Sequence, residues 1–451
     1  MNVHLRGPVF GSFSRWGLGI QDGATSCKLF YFLFFATMAP FFPYVNLYFR
    51  GIGLSGEEIG LISAITPAVG LFMQTVWGTL SDVFRGRRAV LMLTTLAASV
   101  LVLFFLTARE FYSLVWMMIL FSVFTNPIMP LADSISLRYL EDYSNTGEYG
   151  MLRLWGSIGF SLVVPLAGWF LQRTSLANLF ILYSVLMFMT HLASRFMPET
   201  QRDPGQAPLP FPCLREGNEN PPPHGHGCCA DRGPGRAGIT RLLVNRNFIG
   251  FLFAIFILQA ATMSVGTFFP IHLSRMGAST LIIGTAQLIA ALSEVPAFGL
   301  SGRVIARASS RTIITWASAT YALRFFVYAM SPTPGPILLV QVVQGLGFAL
   351  FYSAAVVFVS EVSPPELKTT GQAVFWAFSF GGGAIAGNLG GGFLVDRIGT
   401  ANLYLLASGG ALLSIALLLM AVQPDVNDVN EGPGGGVQKT QKKKRKETTA
   451  Y

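Results

Sequence analysis

Four ionisable side chains lie inside long apolar stretches of this sequence: Asp133, Arg153, Glu294 and Arg324. At the centre of a lipid bilayer such a group costs about 2.5–3.5 kcal/mol even on a lenient scale, unless it finds an opposite charge or water. Residues of these types could form ion pairs that open and close, carry a proton, or hold a polar molecule. They are therefore the first candidates for a functional site.

The composition indicates the surroundings of these charges. Of 451 residues, 52% are hydrophobic and 12% are charged, whereas soluble domains carry about 25% charged residues. This balance excludes a soluble enzyme, a disordered chain and a nucleic-acid-binding domain. Four cysteines in so long a chain exclude a disulfide scaffold. A multi-pass membrane protein remains.

The apolar stretches have the length of membrane-spanning helices, because about 20 residues cross about 30 Å of hydrocarbon. The runs show no alternation typical of strands. We predict an all-α membrane protein with twelve spans, at 27–49, 56–79, 88–108, 111–138, 149–171, 175–196, 246–271, 279–302, 311–331, 335–361, 368–394 and 400–422.

The distribution of Lys and Arg predicts the orientation, because basic residues near span ends tend to remain in the cytoplasm. With both termini cytoplasmic, most of them fall on that side, and the external loops hold Arg50, Arg109, Arg173, Arg275 and Arg397. The plasma membrane is the default location. An organelle membrane is the alternative, because the first 26 residues faintly resemble a transit peptide.

A Pro- and Gly-rich segment divides the spans into two sets of six. We predict a cytoplasmic N-tail (1–26), an N-terminal bundle (27–197, the N half), a flexible linker (198–245), a C-terminal bundle (246–422, the C half) and a basic C-tail (423–451). The halves look duplicated, since Phe41-Phe42-Pro43 ends the first span and Phe268-Phe269-Pro270 ends the seventh. Repeats of this kind place a binding site between the halves, near the bilayer midplane.

The loop after the second span reads Gly78-Thr-Leu-Ser-Asp82-Val-Phe-Arg85-Gly86-Arg87-Arg88. It resembles the signature loop of the major facilitator superfamily, with one extra residue between Asp82 and Gly86. Small residues let helices approach closely, and an acid at a span end can pair with loop arginines. We interpret Gly78, Asp82, Arg85, Gly86, Arg87 and Arg88 as a gating loop. The alternative is that the arginines only fix the topology.

Further motifs are similar to the lactose permease and phenylpropionate permease group of that superfamily, among them Pro130-Leu-Ala-Asp133, Tyr149-Gly-Met-Leu-Arg153-Leu-Trp155, Glu294-Val-Pro296, Ala322-Leu-Arg324 and Gln341-Val-Val-Gln344-Gly345. The resemblance implies a secondary transporter that moves a small organic solute, of the sugar, nucleoside or aromatic acid type, by alternating access, with a proton as a candidate co-substrate. The alternatives are a facilitative uniporter and a receptor or sensor that binds without transporting.

The first two charges are expected at similar depth, because Asp133 lies near the end of the fourth span and Arg153 near the start of the fifth. The resemblance implies that such a pair holds the solute. The alternative is a structural salt bridge between the two helices.

The other two charges are candidates for proton coupling, which Asp133 could share. Glu294 lies beside the apolar run from Val295 to Phe298, and such surroundings favour a neutral carboxyl, as a proton carrier requires. Arg324 could discharge it, or the two could form a static pair. One departure speaks against coupling, since Gln344 and Gly347 stand where relatives carry titratable residues.

Other polar and aromatic residues could contact a solute. Asn126, Gln341 and Gln344 are candidate hydrogen-bonding groups, and the alternative is contact between helices. Trp155, together with Trp376 and Tyr352, could stack on a ring, or could pack against core or lipid.

No cofactor or nucleic-acid partner is expected, and the protein is expected to be a monomer in the lipid bilayer. We predict no enzymatic activity, because the sequence offers no nucleophile–base pair. A metal site at His224-Gly-His-Gly-Cys228-Cys229 in the linker is disfavoured, since the spacing matches no closed structural site.

Overall fold

A computed structural model shows how the spans are arranged. It describes residues 23–83, 86–142, 149–198, 244–305, 307–364 and 367–421, with the backbone alone at 74, 75, 78–83 and 142. Most of the predicted N-tail and linker, the whole predicted C-tail and the cluster from His224 to Cys229 lie outside these ranges. Within them every regular element is a helix, which confirms the all-α fold class.

The described part of the N half contains eight α-helices. α4 continues into a short 3-10 turn at Val102–Leu106. The helices are α1 (Gly23–Met38), α2 (Val45–Gly51), α3 (Gly56–Val83), α4 (Arg87–Leu101), α5 (Phe111–Thr125), α6 (Ile128–Asp142), α7 (Tyr149–Arg173) and α8 (Asn178–Ser194).

The described part of the C half contains six α-helices. The last two depart from regular geometry. α13 and α14 are joined by a π-helical turn at Ala377–Gly383, and α14 bends at Gly399, whose φ of 77° is left-handed. The helices are α9 (Arg246–Arg275), α10 (Thr280–Ile305), α11 (Ser310–Met330), α12 (Pro334–Val362), α13 (Lys368–Trp376) and α14 (Ala384–Ala421).

Each predicted span corresponds to helical structure. Eight helical stretches in the described chain are long and apolar enough to cross a membrane, and the last of them, Lys368–Ala421, contains two predicted spans. The three other predicted spans correspond to shorter or less apolar helices, namely α1 with α2, α8 and α11. Length and hydropathy alone therefore account for part of the predicted twelve.

Two predicted spans are interrupted where proline removes a backbone donor. Pro40 and Pro43 lie in the turn between α1 and α2, and Pro127 lies in the turn between α5 and α6. Pro296, in contrast, lies inside the continuous helix α10. The interruption before α2 lets Tyr44 point away from the helix axis toward the C half.

The two halves meet mainly through two pairs of helices, α3 with α14 and α7 with α10, and α2 also contacts α9. In both pairs the helices approach closely because glycine has no side chain at the point of contact. A Cβ at Gly60 would approach the carbonyl oxygen of Asn388 to 2.4 Å, and a Cβ at Gly284 would approach that of Val164 to 2.7 Å. The helices α3 and α10 both begin at one end of the bundle, and we call it the Gly56 end.

Candidate functional site

Asp133 on α6 and Arg153 on α7 form the ion pair that their position in the sequence predicts. Arg153 Nη1 lies 3.3 Å from Asp133 Oδ2, and the two side chains are 48% and 25% exposed. Arg153 Nη1 also donates to the Tyr149 hydroxyl at 3.2 Å. Both side chains are partly exposed although their helices are apolar, and in a membrane such exposure is costly unless the pair meets water.

A third helix holds the acid in place. The hydroxyl of Tyr31, on α1, donates to Asp133 Oδ1 at 2.8 Å, and the Tyr31 side chain is fully buried. α1 reaches this position because α7 presents glycine to it, with a Cβ at Gly159 coming within 2.2 Å of the Phe32 carbonyl oxygen. Sequence reasoning missed Tyr31, because its partner lies far along the chain.

The C half contains a group of aromatic side chains that contact one another. Tyr352, on α12, interacts electrostatically with both Arg153 and Asp133. Its ring contacts that of Trp376, with centroids 5.1 Å apart, and Trp376 contacts Phe380 at 4.8 Å. Phe348 and Phe298 complete this group, at 5.9 and 6.2 Å from Tyr352. We call these five residues the aromatic wall.

Glu294 and Arg324 lie in the C half without a direct contact. Arg324 is 5% exposed, and its guanidinium lies over the rings of Tyr321, Phe325 and Tyr328 at 5.0, 4.9 and 5.7 Å. Its Nε has no hydrogen-bond partner among the described residues. The charge of Arg324 acts on Glu294, but no ion pair within 4 Å joins these two side chains.

This enclosure of Arg324 by three rings was not predicted. The signal is present in the sequence, because Tyr321, Phe325 and Tyr328 lie at −3, +1 and +4 from the arginine, on the same side of a helix. Cation–π contacts of this kind stabilise a buried guanidinium that lacks a carboxylate. A proton-coupling role for Glu294 and Arg324 stays a prediction.

Two of the polar candidates are occupied by other helices. Gln341 is 1% exposed, and its Oε1 accepts a hydrogen bond from the Tyr328 hydroxyl at 2.7 Å. Asn126 Nδ2 donates to the carbonyl oxygens of Ser122 at 2.8 Å and Thr66 at 3.3 Å. This geometry favours contact between helices over solute binding for both residues.

The other two candidates are more accessible. Gln344 and Trp155 are half-buried, on α12 and α7 respectively. Trp155 lies two residues after Arg153, half a helical turn away, so its contact with a solute stays a prediction.

The described part of the predicted gating loop contacts the N half. Arg87 Nη1 donates to Ser134 Oγ on α6, and Arg88 Nη1 donates to the Met197 carbonyl oxygen at 3.4 Å. Gly86 precedes the first residue of α4. Arg85 and the side chain of Asp82 lie outside the described residues, as do the contacts of Gly78, so the gating role stays a prediction.

A set of hydrogen bonds joins the halves near the Gly56 end. Asn46 Nδ2 donates to the Thr267 carbonyl oxygen at 3.1 Å, and Asn388 Nδ2 donates to the Ser63 carbonyl oxygen at 3.0 Å. The Thr267 hydroxyl donates to Asn388 Oδ1 at 2.6 Å, and the Ser63 hydroxyl donates to Asn46 Oδ1 at 3.3 Å. The four residues therefore form a closed ring of hydrogen bonds.

Charged residues extend this connection to the tip of the bundle. Asp396 Oδ1 and Oδ2 accept from the backbone N–H groups of Gly56 and Glu57 at 2.8 and 2.9 Å. Arg397 pairs with Glu57 at 2.7 Å. On the other pair of helices, the Thr280 hydroxyl donates to the Gly168 carbonyl oxygen at 2.7 Å. The Gly56 end is therefore closed.

The sequence is similar to a known protein family and to known transport proteins. The family described as MFS_1 like matches residues 24–406. The maltose permease of Geobacillus stearothermophilus is 28% identical over 412 residues, covering 91% of this chain and 97% of that protein. The probable 3-phenylpropionic acid transporter of Escherichia coli (strain K12) is 25% identical, covering 88% and 96%.

A solved structure supports the architecture. The crystal structure of a point mutant of the nucleoside transporter NupG superimposes with a TM-score of 0.76 at 18% identity, covering 89% of this chain and all of that one. At this identity the likeness concerns the fold alone, and it confirms the predicted fold class. The boundaries between the tails, the halves and the linker stay predictions.

Proposed function

The chain belongs to the MFS_1 like family, and from that membership we propose that it carries an organic solute through the membrane by alternating access. That it is a membrane transporter of small solutes follows from the family, whose named relatives are permeases or transporters. The site, the mechanism and the coupling belong to the proposal.

The observation that carries the proposal is the solvent-accessible pair Asp133–Arg153. Arg153 is 48% exposed within a helix that is long and apolar enough to span the membrane. A charged pair keeps such exposure in a membrane only beside water. Because Tyr352 of the C half is within electrostatic range of both charges, the proposal has a solute held here between the two halves.

The closed Gly56 end supports alternating access with this end external. Arg50 and Arg397 lie at this end, in loops with few basic residues, and under the positive-inside rule the proposal has both termini in the cytoplasm. The conformation would be inward-open. To release the solute outside, the contacts of Asp396, Asn388 and Thr280 with the N half would have to break.

Proton coupling through Glu294 forms a second part of the proposal. Apolar neighbours favour its neutral form, and the charge of Arg324 favours its ionised form. The balance between neutral and ionised Glu294 would change if its distance from Arg324 changed during the transport cycle. Asp133 is the other candidate carrier.

A facilitative uniporter is the competing function, and Gln344 and Gly347 favour it. Neither side chain titrates near neutral pH, so the span that carries them offers no proton acceptor at these positions. A receptor that binds without transport is the third function to separate. The proposal involves no chemical conversion of the solute, and places a monomer in the plasma membrane by default.

Counterflow in proteoliposomes tests the proposal. Proteoliposomes that contain the full-length protein would be loaded with unlabelled maltose, uridine, p-nitrophenyl-α-glucoside or 3-phenylpropionate. Uptake of the same probe in labelled form would then be followed. We expect counterflow of at least one probe, and its loss in Asp133→Asn and Arg153→Gln. Glu141→Gln, at the exposed end of α6, is the matched control and should retain wild-type counterflow.

The outcomes separate the three functions. Net solute uptake down its gradient without movement of protons would establish a uniporter, and binding of a probe without counterflow would establish a receptor. Counterflow that is unchanged in both Asp133→Asn and Arg153→Gln would remove the site from the proposal.

A further inference from the structure

Arg324 is a buried cation for which the described residues supply no counter-charge in contact with it. It is 5% exposed, and its Nε is buried without a hydrogen-bond partner among those residues. The ion pairs found in the described part of the chain do not include it. Inside a membrane protein, a charge so placed is costly unless an opposite charge accompanies it.

Three rings surround this charge without neutralising it. The guanidinium carbon lies 5.0, 4.9 and 5.7 Å from the ring centroids of Tyr321, Phe325 and Tyr328. Ring faces attract a cation, but the guanidinium also carries five N–H donors that need acceptors. The rings therefore supply attraction but no negative charge.

The helix that carries this arginine is fixed on three sides. The Tyr328 hydroxyl donates to Gln341 Oε1 on α12 at 2.7 Å, and His272 Nε2 on α9 donates to the Tyr328 carbonyl oxygen at 3.0 Å. The Ser408 hydroxyl on α14 donates to the Ala322 carbonyl oxygen at 2.9 Å. These contacts keep the guanidinium inside the C half, where it cannot reach bulk water by rotation of α11.

The surroundings of the guanidinium favour a small monovalent anion. Part of Arg324 still reaches accessible space, since 5% of the residue is exposed. With three rings around it, this space suits a single-atom ion better than a carboxylate with its carbon skeleton. A divalent anion would lose more hydration energy on entering. Water accepts hydrogen bonds from such N–H groups but brings no charge.

From the uncompensated charge, its enclosure and its fixed position, we propose that Arg324 binds a halide ion, which is chloride under physiological conditions. The ion lies against the N–H groups of the guanidinium, within the C half, and supplies the missing counter-charge. Glu294, on which the charge of Arg324 acts, is the competing counter-charge when it is ionised. This inference goes beyond the proposed function, because the ion binds whether or not a solute is carried.

Thermal unfolding of the full-length protein in detergent tests the proposal. Sodium chloride would replace sodium gluconate in steps at constant ionic strength, and tryptophan fluorescence would report the midpoint, Tm. We expect chloride to raise Tm by about 1–3 °C once it exceeds its Kd about tenfold, because a ligand that binds only the folded state stabilises that state. Sodium acetate is the third arm, and we expect it to behave like gluconate.

Variants show where chloride acts. Arg324→Gln should lose the chloride-dependent shift in Tm. Arg303→Gln should retain the shift and is the matched control, because Arg303 is exposed at the end of α10 in the same half. Glu294→Gln should bind chloride about threefold more tightly or better, since it removes a neighbouring negative charge.

Crystals of the wild-type protein grown in sodium bromide give a readout that needs no variant. We expect an anomalous difference peak for bromide in contact with the Arg324 guanidinium. This measurement decides if Arg324→Gln does not fold.

Equal Tm values in chloride and gluconate, an undiminished chloride shift in Arg324→Gln, or bromide bound only elsewhere would overturn this inference. Equal stabilisation by acetate would also overturn it, because the site would then accept a carboxylate. All of these results leave the proposed function standing. Failure of counterflow in chloride and gluconate alike would overturn the proposed function and leave halide binding standing.

Discussion

The carboxylate of Asp396 closes the N-terminus of a helix in the opposite half, accepting hydrogen bonds from the backbone N–H groups of Gly56 at 2.8 Å and Glu57 at 2.9 Å. The first N–H groups of any helix lack partners within that helix, and they carry a partial positive charge. Separation of the halves therefore leaves both the carboxylate and the helix terminus to water alone.

We expect Asp396→Asn to favour opening of the Gly56 end. The substitution removes the charge and one acceptor, which weakens the closed state by about 1–2 kcal/mol, or about 5- to 30-fold in the ratio of closed to open protein. Spin labels at the exposed positions Thr174 and Ala401, in a protein whose native cysteines are replaced by serine, measure the separation across this end. Glu110→Gln, an exposed acid at the same end, should leave the distance distribution unchanged, and an unchanged distribution in Asp396→Asn would contradict the role of this contact.

Closure should also depend on the absence of a side chain at Gly60. Because a Cβ there would come within 2.4 Å of the Asn388 carbonyl oxygen and 2.9 Å of Gly392 Cα, both of which are backbone atoms, Gly60→Ala should hold α3 and α14 apart. The same spin-label distance should lengthen and counterflow should slow. Gly266→Ala is the control, since a Cβ at that position meets open space. Normal counterflow in Gly60→Ala would show that the two helices separate too little to matter.

Tyr31 should act on solute affinity through Asp133. Tyr31→Phe removes one hydrogen bond to the carboxylate without changing the shape of the core, and costs about 1 kcal/mol, so we expect the KM of the transported probe to rise about fivefold. The comparison variant is Tyr112→Phe, because Tyr112 is 75% exposed. A reduced maximal rate with unaltered KM would instead place Tyr31 in the conformational change.

Glu294→Gln separates coupling from transport. If Glu294 carries the proton, the variant should lose solute-driven acidification or alkalinisation of the vesicle interior and still exchange labelled for unlabelled probe, because exchange requires no net proton movement. A pH-sensitive dye inside the vesicles gives the first readout and counterflow gives the second. Retention of the pH change in Glu294→Gln would leave Asp133 as the carrier, and Glu141→Gln is the control for both.

The sequence was sufficient for the all-α membrane fold and for the pair Asp133–Arg153, and the reason is geometric. Hydrocarbon thickness imposes the length of each apolar run. Consecutive antiparallel helices joined by a short loop bring residues near that loop to the same depth. Asp133 and Arg153 satisfy this condition from adjacent helices, and their side chains are found 3.3 Å apart.

Contacts that depend on helix rotation or on distant segments could not be predicted in this way. Glu294 and Arg324 lie on neighbouring helices, but the rotation of α11 directs Arg324 into three aromatic rings. Gln341 and Gln344 look equivalent in the sequence, although Tyr328 occupies only the first. The contact between Gly56 and Asp396 joins residues 340 positions apart, and no local pattern marks either of them.

The π-helical turn at Ala377–Gly383 separates two tasks along one span. Trp376, before the turn, belongs to the aromatic wall, and Asn388 and Asp396, beyond the turn, form hydrogen bonds with the opposite half. A π turn contains one residue more than an α turn, so its conversion to α-helical geometry would twist one segment against the other by about 100°. A rotation of the segment before the turn would thereby change the contacts at the Gly56 end without bending the helix axis.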